Sequence, residues 1–433
     1  MRFRTLLAAC AVIGSIGLVG AACFFFWPHG LPAVIATASQ PHGQDLIERG
    51  KYLTTAADCE ACHTAPGGKP FAGGLAFKLP FGTIYSPNIT PDPKDGIGEW
   101  SDAEFVRAVR SGVGKHGEDL YPAFPYTSYA LMSTDDILAV KAYLNTLRAE
   151  PATSRANDLA FPFNQRWLMR GWKLLFVPSY PFAPDAEKGD QWNRGAYIVE
   201  ALAHCGECHT PRGLMFQRKQ GDALAGGEVD GWTAWNITSD VNSGIGSWSD
   251  ADITAYLSHD FAKGHGPASA SMRQAIDLSL SKLPESDINA IVTYLRTIPA
   301  RPSSYPGQAV SGVQSPLSAS KPWAPSDLGN DAGLGERIFA GACASCHAWD
   351  GTGQNAARAS LEGAHAVRDQ SGANLIRVIL QGSSDATGNP TTTMPSFAAA
   401  YSDTEIAALA NYVAAHFGGG KGTVSPSDVA KAR

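Results

Sequence analysis

The chain has 433 residues, which is enough for about three domains of ordinary size. Charged residues make up only 17% of it and the formal net charge is −6, which argues against nucleic acid or an anionic surface as its main partner. Six of the eight cysteines fall in a repeated motif and the other two in an apolar N-terminal run, so none is left to build a disulfide framework.

Residues 1–44 are predicted to be an N-terminal membrane anchor followed by a tether. Their apolar core, residues 6–27, is 22 residues long, and a membrane-spanning helix needs about 20. Two arginines precede it, which is typical of the cytoplasmic end of a membrane span. It ends in an aromatic run, which is typical of a membrane interface, and Pro28 then predicts the end of the helix. We therefore expect a single uncleaved anchor. Cleavage after residues 36–38 is the alternative, because small residues there suit a signal peptidase.

One pentapeptide recurs three times along the rest of the chain. Its copies are Cys59-Glu60-Ala61-Cys62-His63, Cys205-Gly206-Glu207-Cys208-His209 and Cys343-Ala344-Ser345-Cys346-His347. This spacing is the attachment sequence for c-type haem, because two thiols one helical turn apart can bond the same porphyrin while the adjacent His reaches the iron. A structural zinc site would need four ligands, and a redox dithiol would not need the His. We therefore predict three covalent haems c, with His63, His209 and His347 as proximal ligands.

A helical stretch precedes each motif and carries a glycine eight to ten residues before the first cysteine. These glycines are Gly50, Gly195 and Gly335. A glycine at this place predicts that the helix packs so closely on another that a Cβ would not fit.

Capped amphipathic helices follow each motif. Ser101 and Ser249 begin matching capping boxes in the first two domains, which are close copies of each other. A closing helix with an apolar stripe then begins near Ser133, Pro284 and Ser402 in the three domains. The pattern predicts an all-α fold of three tandem cytochrome c domains after the anchor. Their predicted ranges are 45–150, 191–298 and 333–418.

Two connectors and a tail complete the predicted organisation. Residues 151–190 include a basic, Trp-bearing amphipathic segment, 166–176, which suits a membrane surface, a partner groove or a linker packed across two haem domains. Residues 299–332 are rich in Pro and Ser and predict an extended spacer. The Gly-rich tail, 419–433, is expected to be loosely ordered and flexible.

Each haem iron needs a second axial ligand if its site is to transfer electrons, and Met opposite His is the usual choice for a high potential. The sequence contains six Met, of which we predict Met132, Met272 and Met394 as the ligands of the first, second and third haem. The first is the least obvious, because Phe124 occupies the position that corresponds to Met394. The open alternatives are His116 for the first haem, Met215 or His265 for the second and His365 for the third.

Several stretches outside the haem motifs resemble one known family. They are the Thr, Pro and Gly that follow the first two motifs, residues 84–92, Leu120-Tyr121-Pro122-Ala123 and residues 422–429. Together they resemble the three-haem cytochrome c subunits of membrane-bound dehydrogenases. Members of that family accompany quinohaemoprotein alcohol dehydrogenases of acetic acid bacteria, flavin-dependent gluconate and related polyol dehydrogenases, and molybdenum aldehyde dehydrogenases. The sequence departs from many relatives at Phe124, where they carry Met, and in its expected uncleaved anchor.

The resemblance implies an electron-transfer subunit of the respiratory chain with no substrate-oxidising site of its own. It would take electrons from a catalytic dehydrogenase subunit of the PQQ, molybdopterin or FAD type, with alcohol or aldehyde oxidation favoured, and pass them to ubiquinone. Its place would be the periplasmic side of the bacterial cytoplasmic membrane. The alternatives are a gluconate or polyol flavin dehydrogenase as partner, or a self-contained haem enzyme such as a peroxidase. No dinucleotide fingerprint or phosphate loop occurs in the sequence.

Overall fold

The structure is a computed structural model that describes residues 2–34, 37, 40–178, 181–303, 333–354, 356–383 and 394–433, with side chains from residue 12 onward. Contacts divide the chain into two compact units. The first comprises Met1–Thr54 and Cys62–Ala183, and the second comprises Thr55–Ala61 and Pro184–Arg433. The predicted cleavage site falls mostly outside the described residues, and so does most of the predicted spacer.

The chain up to residue 183 is mainly helical. Its helices are α1 (Arg2–Phe26), α2 (Gly43–Ala56), α3 (Cys59–His63), α4 (Asp102–Ser111), α5 (Tyr126–Tyr129), α6 (Thr134–Leu144) and α7 (Leu168–Phe176). Strands β1 (Ala76–Leu79), β2 (Gly82–Tyr85) and β3 (Asp158–Leu159) form a small antiparallel sheet in the order β1-β2-β3. Gly82 begins β2 with a positive φ of 135°, and a Cβ there would lie 2.1 Å from the carbonyl oxygen of Asp158.

The chain from residue 184 is also mainly helical. Its helices are α8 (Asp190–Tyr197), α9 (Gly206–His209), α10 (Asp250–His259), α11 (Ala270–Leu278), α12 (Glu285–Leu295), α13 (Leu334–Ile338), α14 (Ala344–His347), α15 (His365–Arg368), α16 (Ala373–Gln381), α17 (Asp403–Gly418) and α18 (Pro426–Ala432). Two antiparallel pairs of strands accompany them, β4 (Gly227–Val229) with β5 (Trp232–Ala234) and β6 (Phe261–Ala262) with β7 (Gly266–Pro267). The mainly helical architecture agrees with the all-α prediction, apart from these short strands.

A close helix crossing recurs in all three predicted domains. A Cβ on Gly50 would lie 1.9 Å from the carbonyl oxygen of Ala139, and one on Gly195 would lie 1.9 Å from that of Ala290. A Cβ on Gly335 would lie 2.1 Å from the carbonyl oxygen of Ala408. Helices α2, α8 and α13 therefore cross α6, α12 and α17 with backbone against backbone, which confirms the prediction made from the glycine spacing.

The predicted caps and buried stripes of the later helices are also present. Ser101, Ser249 and Ser402 each form a complete capping box, in which the serine hydroxyl accepts a hydrogen bond from the backbone three residues on. Buried isoleucines, including Ile137 and Ile406, lie on the inner faces of the closing helices α6 and α17. Burial of these side chains stabilises the crossing that the glycines permit.

Helix α1 ends at Phe26, close to the helix stop that Pro28 predicts. Among the residues that the structure describes, no helix has both the length and the apolar character needed to cross a membrane. The predicted N-terminal anchor therefore gains no support from the fold.

The prediction of a flexible C-terminal tail is wrong. Residues 426–432 form helix α18, which begins with a capping box at Ser425. Val424 and Val429 are buried in the core of the third domain, and the Asn411 side chain accepts from the Val424 N–H and donates to its carbonyl oxygen. Two valines that pack against α16 and α17 thus hold the end of the chain, although glycines precede them.

Candidate haem-binding sites

The three motif histidines have the same hydrogen-bonding arrangement. In each one Nδ1 lies within hydrogen-bond distance of a backbone carbonyl oxygen. The distances are 2.7 Å from His63 to Pro87, 2.6 Å from His209 to Trp235 and 2.6 Å from His347 to Ala359. A carbonyl can only accept, so each Nδ1 carries the proton and each Nε2 keeps its lone pair. Such a partner orients a metal-ligating imidazole and raises its basicity, so each Nε2 is prepared for an iron.

The surroundings keep these histidines neutral. Burial lowers the pKa of His63, His209 and His347 below the ordinary value, and the hydrogen bond to a carbonyl opposes that shift only in part. A metal ligand must be the neutral imidazole. The three motifs therefore present their ligands in the protonation state that iron requires.

Three of the motif cysteines are held as thiols rather than thiolates. Burial raises the pKa of Cys205 to about 12, and it raises the pKa values of Cys208 and Cys343 to about 11. A reactive dithiol would favour the thiolate instead. Short helices α3, α9 and α14 also place the cysteines of each motif about one turn apart beside the histidine. The residues present therefore fit a covalently attached haem c at each motif.

A repeated tetrapeptide explains how the first two carbonyl partners are placed. Pro87-Asn88-Ile89-Thr90 matches Trp235-Asn236-Ile237-Thr238, and in both copies the Asn side chain accepts a hydrogen bond of 2.8 Å from the backbone N–H of the Thr. This turn fixes the residue just before the Asn, whose carbonyl faces the histidine. The sequence shows the repeat, but its role becomes visible only when the carbonyl is located.

The predicted distal methionines occupy different environments. Met132 is 2% exposed and lies directly before the cap of α6. Met272 is half-buried in the first turn of α11. Met394 is half-buried at the edge of the third core, where its backbone exchanges two hydrogen bonds of 2.9 Å with Ser383. The contacts of these residues do not test ligation, so all three assignments stay predictions.

The alternative ligands of the second and third haem include two histidines that pack on tryptophans. His265 stacks on Trp248 with ring centres 3.7 Å apart and lies 3.6 Å from the Asp252 carboxylate. His365 lies against both Trp235 and Trp248, at 5.2 and 5.7 Å between ring centres. Burial, with help from the positive charge of His265 and Arg368, lowers the pKa of His365 to about 4. These contacts give both histidines a packing role.

The same aromatic cluster joins the second predicted domain to the third. Trp235 supplies the carbonyl for His209, and its indole contacts His365, which begins α15. Nearby, the side chain of Asn374 accepts from the Thr233 N–H at 2.8 Å and donates to its carbonyl oxygen at 2.9 Å. Trp235, the residue that orients His209, therefore packs directly against the third predicted domain. Sequence reasoning missed this junction, because its members lie more than a hundred residues apart.

The segment Thr55–Ala61, which carries Cys59, packs beside the second motif. The imidazole of His204, one residue before Cys205, hydrogen-bonds to the backbone of Ala57. The hydroxyl of Ser279 lies 3.5 Å from the carbonyl oxygen of Ala56. The first cysteine of one motif and the first cysteine of the next therefore belong to one packed region.

Several known proteins are similar to this chain in sequence. A sequence model of the cytochrome c family matches residues 47–148 and 332–416. The fructose dehydrogenase cytochrome subunit of Gluconobacter japonicus is 40% identical over 403 residues, which cover 89% of this chain and 82% of that protein. The chain belongs to the cytochrome c subunits of dehydrogenases. The cytochrome c subunit of alcohol dehydrogenase (quinone) from Gluconobacter oxydans, also in this family, is 36% identical over 421 residues, 93% of this chain and 86% of that subunit.

A longer relative contains a region similar to this cytochrome subunit. It is a nicotinate dehydrogenase subunit of Pseudomonas putida, 40% identical over 379 residues, which are 87% of this chain but 31% of that protein. The chain thus spans about a third of that relative's length. As a dehydrogenase cytochrome c subunit, the chain binds haem c covalently and transfers electrons.

Proposed function

We propose that this cytochrome is the tri-haem c subunit of a membrane-bound dehydrogenase complex, and that it relays electrons from a catalytic alcohol or aldehyde dehydrogenase subunit to ubiquinone. One observation carries the proposal. All three haem motifs place a neutral histidine with Nδ1 on a carbonyl and Nε2 left for iron. Three sites prepared in the same way on one chain suit a relay better than a single reactive centre.

The chemistry of haem c explains why a second protein is needed to oxidise an alcohol or aldehyde. Haem c supplies a one-electron couple when it is bound, whereas oxidation of an alcohol or aldehyde removes two electrons and requires a cofactor built for that. The motif cysteines of this chain would fix the porphyrin, and His63, His209 and His347 would be ligands of the iron. We assign the two-electron step to a partner subunit that contains PQQ, molybdopterin or FAD.

Packing between the sites supports a relay. The backbone of Ala57, two residues before Cys59, hydrogen-bonds with His204, which directly precedes Cys205. Trp235, whose carbonyl orients His209, packs against His365 of the third domain. Residues beside Cys59 therefore contact residues beside Cys205, and the residue that orients His209 contacts the third predicted domain.

The periplasmic face of the cytoplasmic membrane is the proposed location. The apolar N-terminal sequence and its flanking arginines support a single anchor. At the end of α1, the guanidinium of Arg170 donates hydrogen bonds of 2.6 and 2.7 Å to the carbonyl oxygens of Phe24 and Trp27. Leu174 and Leu175 on the same helix, α7, are more than half exposed. An aromatic and leucine-bearing surface beside the N-terminal helix suits a membrane interface.

Removing this subunit from the purified complex tests the proposal. We expect the remaining complex to reduce a soluble dye with its substrate and to lose reduction of a ubiquinone analogue, because the dye accepts electrons directly from the catalytic subunit. Adding the cytochrome back should restore quinone reduction. The proposal is wrong if quinone reduction persists without the cytochrome, or if the isolated cytochrome oxidises a substrate or consumes peroxide at a catalytic rate.

A further inference from the structure

A buried carboxylate joins the second and third predicted domains. Asp260 directly follows α10 and is only 1% exposed. It forms ion pairs with Arg273 of α11 and with Arg358, which precedes α15 in the third domain. We propose that Asp260 is a positioning residue for electron transfer, which holds segments of the second and third haem sites in one fixed arrangement.

The third-domain arginine lies next to the residue that orients the third proximal histidine. Its neighbour Ala359 supplies the carbonyl oxygen that accepts from Nδ1 of His347 at 2.6 Å. Both neighbours belong to a single turn of 3-10 helix, residues 357–359. The Arg358 guanidinium also donates to the carbonyl oxygen of His259, the last residue of α10, at 3.1 Å. An anchored Arg358 therefore restricts the carbonyl that sets the tautomer of His347.

The second-domain arginine lies next to a predicted iron ligand. Arg273 is buried and directly follows Met272, the predicted distal ligand of the second haem, in the first turn of α11. It also pairs with Asp277 at 2.9 Å, one turn further along the same helix. Two carboxylates therefore fix Arg273, and with it the start of α11. This half of the proposal depends on the Met272 assignment, whereas the third-domain half depends only on His347.

The backbones of the two domains are also in close contact beside Asp260. Gly266 in β7 has a φ of 76°, and a Cβ there would lie 2.7 Å from Cα of Ala364. Gly363 has a φ of 69°, and a Cβ there would overlap the carbonyl oxygen of Gly264. The hairpin of β6 and β7, which begins directly after Asp260, therefore packs on the third domain with backbone against backbone. At so short a separation, a displacement of one backbone also moves the other.

Loss of the bridging carboxylate would leave two arginines without the anion that they share. Breaking a buried ion pair is destabilising, because the remaining charge stays out of water. Arg273 would keep its pair with Asp277, so the larger movement is expected at Arg358 and at the neighbouring carbonyl of Ala359. A weaker hydrogen bond from His347 to that carbonyl makes the imidazole a poorer electron donor, which raises the potential of the third haem.

Two variants with opposite changes of charge test the proposal on the full-length matured cytochrome. Asp260→Asn removes a negative charge and Arg358→Met removes a positive one, so charge alone would shift the third-haem potential in opposite directions. Release of the Ala359 carbonyl predicts a rise in both variants. Potentiometric titration followed by absorption spectra measures the shift. Amide hydrogen exchange should also become faster at residues 259–267 and 357–364 in both variants.

Two further variants separate position from charge. Arg358→Lys keeps a cation beside Asp260 and should retain the wild-type potential of the third haem. Asp277→Asn removes a negative charge next to Arg273 but leaves the pair between Arg273 and Asp260 in place. Its hydrogen exchange at residues 357–364 should therefore match the wild type.

The proposal is overturned if the two potentials shift in opposite directions, or if Arg358→Lys raises the potential as much as Arg358→Met. Exchange at residues 357–364 that stays unchanged in both bridge variants, or rises equally in Asp277→Asn, would also contradict it. If Asp260→Asn fails to mature, Arg358→Met decides alone, because a rise opposes its change of charge and a fall or no shift rejects the proposal. No dehydrogenase or quinone takes part, so the result is independent of the function proposed above.

Discussion

Gly335→Ala is expected to lower the free energy of unfolding of the third domain by about 3 kcal/mol. The new methyl carbon would lie 2.1 Å from the carbonyl oxygen of Ala408 and 2.8 Å from Cβ of Tyr412. Neither atom is the tip of a flexible side chain, so α13 and α17 would have to move apart. Their separation would open the core that contains Phe339 and Phe417.

Gly341→Ala provides a matched control for this prediction. Gly341 is exposed, lies in the same helical segment, and has no atom within 4 Å of the position that its Cβ would take. Thermal unfolding of the mature protein should show a loss of about 15 °C in the transition of the third domain for the Gly335 variant and no loss for the control. Equal midpoints in the two variants would show that the crossing does not depend on the glycine.

Met394→Ala is expected to lower the reduction potential of one haem and to leave the other two nearly unchanged. Methionine as an axial ligand raises the potential of a haem iron, so its removal should act on the third site alone. Met272→Ala should have the same effect on the second. Potentiometric titration followed by absorption spectra measures both. Met215→Ala separates two candidates for the second haem: it should change no potential if Met272 is the ligand, as the 51% exposure of Met215 favours, and should lower that of the second haem if Met215 is.

The first haem needs its own test. Met132 stands directly before Ser133, the cap of α6, and the corresponding position before Pro284, the cap of α12, holds a buried leucine, Leu283. If Met132 ligates iron, Met132→Ala should alter the spectrum and potential of the first haem. If all three spectra and potentials are unaltered, the assignment is wrong and His116 becomes the leading choice. His116 is exposed and follows α4 in the same domain.

Local patterns predicted the features that depend on nearby residues. The haem motifs and the capping serines are short signals whose physical cause lies within a turn or two of helix. The glycines also predicted a long-range contact, because only a close approach of two backbones explains a glycine at that place in three domains. The family resemblance came from longer stretches and agrees with the relatives.

Other features could not be predicted, because their partners are distant or belong to the main chain. The carbonyl oxygens of Pro87, Trp235 and Ala359 have no side-chain signature, although they decide the tautomer of each ligand. The packing of Trp248 on His265 and His365 also has no periodic signal. Strands of two to four residues are too short to show alternation. The tail was predicted to be flexible because it is rich in glycine, but Val424 and Val429 are buried in the core of the third domain.

The number of haems on each chain tests the central claim most directly. Three motifs with the same ligand arrangement should each attach one haem through two thioether bonds, so the fully matured subunit should contain three. An alkaline pyridine spectrum of the pure protein, combined with a protein assay, gives the ratio. A value near three is the predicted result, and a value of two or less in fully matured protein would contradict it.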